Sequence, residues 1–173
     1  VGLIGPDGYE SDVRAAVRFL RGGHREVLDE LEASMHAAAE SLRRIRGVDD
    51  KHHLTLLCRD LSELASYARV DNRQYRMLKL GTPGPFTFIL EATKEVPRRL
   101  SHPSRRTIGL RVPDHRVTQE LLAALGQPLL ATTLIAPGET DPMNDAERIR
   151  GRFQKLIQAV LDAGACSMLP TTV

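Results

Sequence analysis

Four short apolar runs in this chain are separated, for the most part, by segments whose apolar residues recur every three or four positions. The runs cover residues 54–58, 86–91, 107–112 and 129–133. Apolar runs of that length are typical of buried strands, whereas the longer spacing is typical of amphipathic helices. Strands that alternate with helices predict an α/β fold, in which one twisted mixed sheet is flanked by helices.

The helical spacing predicts where the helices begin and end. They are expected over residues 11–21, 24–46, 60–68, 72–80, 117–125 and 145–161. Prolines and basic residues in 94–106 predict a solvated loop, and a last strand is expected from about residue 165 to residue 173. A length of 173 residues fits one domain with a core of its own, so residues 1–173 are predicted to form a single domain.

Composition indicates a soluble globular protein, with 42% hydrophobic and 27% charged residues. No apolar run approaches the roughly 20 residues of a membrane span, and the first residues lack the layout of a signal peptide. The two cysteines, Cys58 and Cys166, each lie in an apolar run and are expected to be reduced and buried. We therefore expect a cytoplasmic protein with no membrane partner.

The positive charge is carried almost entirely by arginine. Only Lys51, Lys79, Lys94 and Lys155 are lysines among 24 basic residues, while the net charge is only +2. Arginine suits phosphate because its planar guanidinium donates two parallel hydrogen bonds. A genome rich in G and C would also favour arginine, so the bias by itself leaves both explanations open.

Several arginines and threonines stand where strands or helices are predicted to end. Arg44 and Arg46 close the helix that precedes the first strand, where the helix dipole alone would favour cations, and Lys51 follows them. A Pro-Gly-Pro turn over residues 83–85 precedes the second strand, and the third strand carries Arg111. The structural alternative for Arg111 is an ion pair with Asp114, since an arginine at the edge of a core needs a partner.

These stretches, taken in order, are similar to motifs of the YrdC/YciO family, the threonylcarbamoyl-adenylate synthases and their relatives. Arg44-Ile-Arg46, taken with the stretch from Cys58 to Leu64 and with Ile135, resembles the YciO-like branch in particular, and the resemblance to the family covers about residues 42–173. It implies a YrdC-like fold and ATP or AMP as ligand, with Mg²⁺ as an optional companion and no tightly bound cofactor. The residues it implies for nucleotide or phosphate binding are Arg44, Arg46, Lys51, Arg111, Thr133, Thr171 and Thr172.

Two departures from the family pattern bear on activity. Where the family carries a Ser-x-Asn loop, Thr133 keeps a hydroxyl but Ile135 replaces the asparagine and cannot form a side-chain hydrogen bond. The family's Pro-Thr-Asp-x-x-Tyr-x-Leu-Gly segment is not recognisable after Gly22-Gly23, and residues 24–46 form an atypical, charged helical segment instead. Catalytic residues are therefore left unknown.

A cluster of arginines in the 94–106 loop predicts contact with RNA phosphates. The residues expected to bind RNA are Arg98, Arg99, Arg105, Arg106 and Arg116. Aromatic residues make up only 4% and tryptophan is absent, so base stacking is poorly supplied and duplex or structured RNA, such as tRNA, fits better than single strands. A plain solvated loop is the structural alternative.

Three functions remain open at this stage. The first is binding of nucleotide and structured RNA, related to tRNA threonylcarbamoyladenosine biosynthesis. The second is an active synthase, a nucleotidyltransferase that joins threonine, bicarbonate and ATP. The third is a non-catalytic interaction protein that uses the helix at 24–46, with a homodimer left open. His52 and His53 beside Asp49 and Asp50 could suggest a metal, but no third ligand is suitably spaced and no metal site is predicted.

Overall fold

The computed structural model describes residues 35–97, 100–164 and 171–173, and the side chains of residues 35 and 36 are not described. In this part of the chain helices and strands follow one another along most of the sequence. In order they are α1 (Met35–Arg46), β1 (Thr55–Leu57), α2 (Leu61–Tyr67), α3 (Asn72–Gly81), β2 (Phe88–Glu91), β3 (Thr107–Arg111), α4 (Arg116–Leu125), β4 (Leu129–Ala131) and α5 (Ala146–Phe153). The helix predicted over 11–21 and the first part of the segment 24–46 lie outside the described residues.

The four strands form one mixed sheet in the order β2-β3-β1-β4. The central pair, β1 and β3, is parallel, while the outer strands β2 and β4 run antiparallel to their neighbours. All four predicted strands are present, each somewhat shorter than the apolar run that predicted it. The prediction of an α/β fold with a mixed sheet and flanking helices is confirmed.

The core lies on one face of this sheet. Leu56 of β1 and Ile108 and Leu110 of β3 are at most 1% exposed, and they pack with Leu64 of α2 and Leu78 of α3. Each such side chain contributes roughly 1.5–3 kcal/mol by leaving water. The apolar side chains that recur every three or four residues in the helices therefore pack against the alternate apolar side chains of the strands, in one layer.

Side-chain caps hold the first turns of four helices, α2 to α5. The Asp60 carboxylate accepts from the Glu63 amide at the start of α2, as the sequence predicts. Asp71 accepts from the Arg73 and Gln74 amides, and the Gln74 side chain accepts in turn from the Asp71 amide. This reciprocal capping box fixes the start of α3. His115 caps α4, and Gly126 ends it in the left-handed conformation with φ 69°.

The helix predicted over 145–161 ends early, and that prediction is wrong in its second half. α5 ends at Phe153, which is buried, whereas Leu156 and Leu161 are about half exposed. An extended helix would gain stability by burying these leucines, and within the described residues they find no core to enter. In the part of the chain that the structure describes, no helix is both long and apolar enough to cross a membrane.

Candidate functional site

The second face of the sheet carries polar groups and a close approach between strands. Side chains alternate between the two faces of a strand, so Thr55 and Leu57 of β1 and Arg111 of β3 lie on this face. All three are half-buried. Gly109 lies between them, and a Cβ at this position would stand 2.8 Å from the Thr55 hydroxyl and 3.0 Å from the Leu54 carbonyl oxygen. Because glycine has no side chain, nothing projects from the middle of this face at position 109.

Arg111 stands at the end of β3 and holds the Pro-Gly-Pro turn. Its Nε donates to the Gly84 carbonyl at 3.2 Å, and the Gly84 amide donates to the Val112 carbonyl at 2.9 Å. Burial lowers the pKa of the Arg111 guanidinium from its ordinary value. The ion pair with Asp114 that the sequence left open is not formed, so the Nη groups keep donors that no described residue uses.

The last described residues lie against the same turn. The Thr87 amide donates to the Thr172 carbonyl at 2.8 Å, and the Thr172 amide donates to the Pro85 carbonyl at 3.0 Å. Thr171 and Thr172 therefore stand beside the turn that Arg111 holds. Of the strand predicted over 165–173, residues 165–170 lie outside the described part of the chain.

At the other end of the sheet, Arg46 joins two segments that are 87 residues apart in the sequence. Its Nη1 donates to the Thr133 carbonyl at 2.6 Å, and the same oxygen accepts from the Ile135 amide at 3.0 Å. The Nε of Arg46 is buried and makes no hydrogen bond with any described residue. Such a buried donor needs a partner that the described residues do not supply.

The other two predicted phosphate ligands near Arg46 face solvent. Arg44 is exposed, and among the described residues its guanidinium donates only to the Ser41 hydroxyl, at 3.5 Å. Lys51 is also exposed, and its backbone amide donates to the Asp49 carboxylate at 3.0 Å. Arg44 and Arg46 therefore do not act as a side-by-side pair, because one anchors the Thr133 loop and the other remains accessible.

The two groups of candidate residues lie at different ends of one face. Arg111 pairs in register with Leu57, and Leu57 pairs with Leu129, whereas Thr133 follows β4 beyond its opposite end. Arg111 and Thr133 are separated by two strand spacings across the sheet and by about four residues along the strands. The distance between them is therefore on the order of 15 Å. A ligand that touched both would have to lie across the sheet.

The arginines that are predicted to bind RNA also lie at two different ends of the sheet. Arg105 and Arg106 are exposed just before β3 begins, and five residues of strand put Arg106 roughly 16 Å from Arg111. Arg116 is exposed at the first position of α4, on the Arg111 side. Arg98 and Arg99 lie outside the described residues. The described part of the loop therefore forms a surface of its own, away from Arg111 and Arg116.

One contact near this loop, between two histidines, has no counterpart in the sequence pattern. The rings of His53 and His102 stack, and the His53 Nε2 lies 2.9 Å from the Thr107 hydroxyl. The Nδ1 of His102 accepts from the Ser104 amide at 3.3 Å and from the Arg105 amide at 3.2 Å. No periodic signal links residues 53 and 102, so only the folded chain brings these rings together.

A sequence model of the Sua5/YciO/YrdC family, which carries the description telomere recombination, matches residues 31–173. The chain belongs to the Sua5/YciO/YrdC family. The resemblance found in the sequence is thereby confirmed, and every candidate nucleotide-binding residue lies inside the matched region. Residues 24–30, the start of the atypical helical segment, lie outside it.

Individual relatives agree with this assignment. The uncharacterized protein YciO of Escherichia coli strain K12 is 48% identical over 136 residues, which cover 79% of this chain and 66% of YciO. The crystal structure of E. coli YciO matches with a TM-score of 0.76 at 46% identity, over 80% of this chain and 67% of that one. Threonylcarbamoyl-AMP synthase of Homo sapiens is 29% identical over 91% of this chain and 57% of the synthase.

The chain thus spans 66% of the length of its E. coli YciO relative, and a smaller share of the human synthase. The high identity to YciO supports the YciO-like branch that the Arg44-Ile-Arg46 variant indicated. The link to the Sua5/YciO/YrdC synthases is more distant.

Proposed function

We propose that this protein binds a nucleotide and double-stranded or structured RNA, in a cytoplasmic role related to tRNA threonylcarbamoyladenosine biosynthesis. The observation that carries the proposal is the hydrogen bond from Arg46 to the Thr133 carbonyl. This bond joins the segment that resembles the family's phosphate-binding arginines to the segment that resembles its nucleotide-holding loop. The relatives named threonylcarbamoyl-AMP synthase support the nucleotide as ligand.

In this proposal the nucleotide lies across the polar face of the sheet. The exposed Arg44 and Lys51 meet phosphate oxygens at one end, where cations offset the negative charge, and Arg46 holds the Thr133 loop beside them. The unused Nη donors of Arg111 serve an anionic group at the other end, beside Thr171 and Thr172. The Thr133 hydroxyl is exposed and can bond the nucleotide from the loop that Arg46 holds. ATP or AMP fits this set, with Mg²⁺ as an optional companion of a triphosphate.

Calorimetry with AMP and ATP tests the nucleotide site. Arg46→Gln and Arg111→Gln each remove a charged donor, so each should weaken binding by about 1.5–3 kcal/mol, a factor of ten or more in Kd. Lys79→Ala removes an exposed cation from α3 and serves as the matched control. Equal affinity of all three variants and the parent chain, with folding verified by thermal unfolding, would refute the site.

The RNA part of the proposal rests on the exposed charges before β3. Arg105 and Arg106 are both exposed, and with Arg98, Arg99 and Arg116 they can contact phosphates of a duplex without reading its sequence. Such contacts release counterions, so the affinity should fall steeply as salt is added.

The variant Arg98→Ala/Arg99→Ala/Arg105→Ala/Arg106→Ala tests this surface with duplex RNA titrated at several salt concentrations. We expect weaker binding at low salt and a flatter dependence on salt, because each lost phosphate contact removes close to one unit from the slope. If the parent chain shows no salt-dependent affinity for RNA in low salt, the RNA proposal fails while the nucleotide site stands on its own test.

A second candidate function is synthesis of threonylcarbamoyl-AMP, which the human relative's name supports. We expect little or no turnover from the chain as it stands. Its family's Pro-Thr-Asp-x-x-Tyr-x-Leu-Gly segment is not recognisable, and Ile135 lacks the side-chain hydrogen bond of an asparagine. Loss of substrate orientation can cost several kcal/mol in the barrier. Pyrophosphate release with ATP, bicarbonate and threonine measures this, and threonine-dependent release at ordinary enzymatic rates would establish the synthase instead.

A further inference from the structure

A cavity of about 320 Å³ opens at the end of the sheet away from Arg111. It lies between the linker after α2, the end of β2 and the loop before β3, and its walls include Arg69, Lys94, Val96, Ser101 and Arg106. Glu91 at the end of β2 pairs with Thr107 at the start of β3, which puts the cavity at the opposite end of β3 from Arg111. The Arg46 and Thr133 group lies at this same end of the sheet, but β4 is three strand spacings, about 14 Å, away from β2. None of the residues that line the cavity belongs to the nucleotide site proposed above.

The cavity is positively charged. Three cations and one carboxylate line it, and the carboxylate of Glu91 is engaged by Arg69 in an ion pair of 3.2 Å. Within the described residues, the ammonium of Lys94 and the guanidinium of Arg106 have neither a hydrogen bond nor an ion pair. Two unpaired cations on a concave wall concentrate the electrostatic potential and attract anions.

Arg106 holds a backbone conformation that is unfavourable for its residue type. Its φ is 55°, in the left-handed region that glycine adopts without strain. The amide of Arg106 donates to the His102 carbonyl at 3.0 Å, and its carbonyl accepts from the Ala92 amide at 2.9 Å. Strained residues of this kind concentrate at ligand sites, where the surrounding structure holds them in place. Here these two hydrogen bonds hold the strained backbone that carries the Arg106 guanidinium.

The deeper part of the cavity is less polar than its rim. Val96 and Ser101 are each 5% exposed, and Ala92 and Pro97 are half-buried beside them. The volume is at the lower end of the roughly 300–1,000 Å³ typical of small-ligand sites. A guanidinium fork, an ammonium and an apolar floor together suit a phosphate group attached to an organic moiety.

We propose that this cavity is a discrete phosphate-binding pocket for a phosphoester group, with Lys94 and Arg106 as its ligands. The phosphate could belong to the backbone of an RNA strand or to a small phosphoester. Only the first source rests on the RNA binding proposed above, and the pocket itself does not.

Titration of the full chain with inorganic phosphate and with AMP, followed by amide NMR shifts, tests the pocket. The amides of Ala92, Lys94 and Ser101 should shift together as phosphate is added. Lys94→Ala combined with Arg106→Gly should lower phosphate affinity at this site at least tenfold. Arg106→Gly alone should not lower the thermal midpoint, because glycine accepts the φ of 55° without strain. Lys79→Ala is the matched control and should bind like the parent chain.

Unchanged affinity in the double variant, or phosphate-induced shifts confined to Arg46 and Arg111, would overturn the assignment. Addition of duplex RNA then identifies the source of the phosphate. Displacement of bound phosphate from Ala92, Lys94 and Ser101 by RNA supports the pocket as a contact for the RNA backbone. Phosphate binding that RNA does not displace supports the pocket as a site for small phosphoesters, even where RNA fails to bind at all.

Discussion

The imidazole rings of His53 and His102 stack with their centroids 5.0 Å apart and their planes inclined by 27°. The Nδ1 of His102 accepts from the Ser104 and Arg105 amides of the following turn. His53 contacts the Thr107 hydroxyl at the start of β3. The pair thus connects the residues before β1 to the loop that carries Arg105.

We predict that stability falls as the pH drops below the ordinary histidine pKa. Burial, followed by the charges of His102, Arg105 and His52, lowers the pKa of His53 from its ordinary value of 6.5. The unfolded chain then binds more protons than the folded chain, so the stabilisation is complete above pH 6.5 and is lost as the pH falls through the lowered pKa. Urea unfolding at several values between pH 7.5 and pH 5 measures this.

His53→Gln should remove part of that pH dependence, since glutamine does not titrate. The pKa of His52 is lowered as well, first by burial and then by the charge of Arg46, so part of the dependence should remain in this variant. A free energy of unfolding that is level, or that rises, as the pH falls from 7.5 to 5 would contradict the lowered pKa values of His53 and His52.

Gly109→Ala should destabilise the protein by about 1–3 kcal/mol. The new Cβ would meet the Leu54 carbonyl oxygen at 3.0 Å and the Thr55 hydroxyl at 2.8 Å, and the paired strand cannot move its backbone away cheaply. Gly151→Ala is the matched control, since beyond its own turn of α5 no atom lies within 4 Å of the Cβ position. It should gain about 0.5–1 kcal/mol from the higher helix propensity of alanine. Equal effects of the two variants in urea unfolding would refute the close approach.

Leu110→Ala should cost about 2–5 kcal/mol in the free energy of unfolding, because the side chain is 0% exposed in the centre of β3. Leu80→Ala removes the same atoms from a side chain that is 90% exposed at the end of α3. We expect the second change to stay within about 0.5 kcal/mol. A similar loss for both leucines would mean that β3 does not form the centre of the core.

Cys58 should resist alkylation in the folded protein. Burial, with smaller contributions from the charges of Glu63 and Asp60, raises the pKa of the Cys58 thiol to about 12. At pH 8 roughly one thiol in ten thousand is then the reactive thiolate, and the sulfur is enclosed by the core. Mass spectrometry of the Cys58 peptide after iodoacetamide treatment should find rapid labelling in urea and slow labelling without it. Rapid labelling of the native chain would contradict this burial.

Local patterns determined most of the fold. The apolar runs at 54–58 and 107–112 became β1 and β3, because a buried strand needs apolar residues over its own length and little else. The ends of these helices followed from local signals that act within four residues, such as the Asp60 side chain at the start of α2 and the left-handed backbone of Gly126 after α4. The local pattern did not predict where α5 ends. Leu156 and Leu161, which follow this helix, would continue it only if a distant part of the core buried them.

The candidate site depends partly on the sequence and partly on the tertiary structure. The sequence by itself determined which residue types were available, and it named Arg46, Arg111 and Thr133 together with their family. Only the tertiary structure decided that Arg46 bonds the Thr133 carbonyl, that Arg106 stands apart from Arg111, and that His53 stacks on His102. The physical reason is the distance along the chain over which each kind of contact acts. Periodicity and caps report contacts within a few residues, whereas these contacts depend on the register in which β1 pairs with β3 and β4.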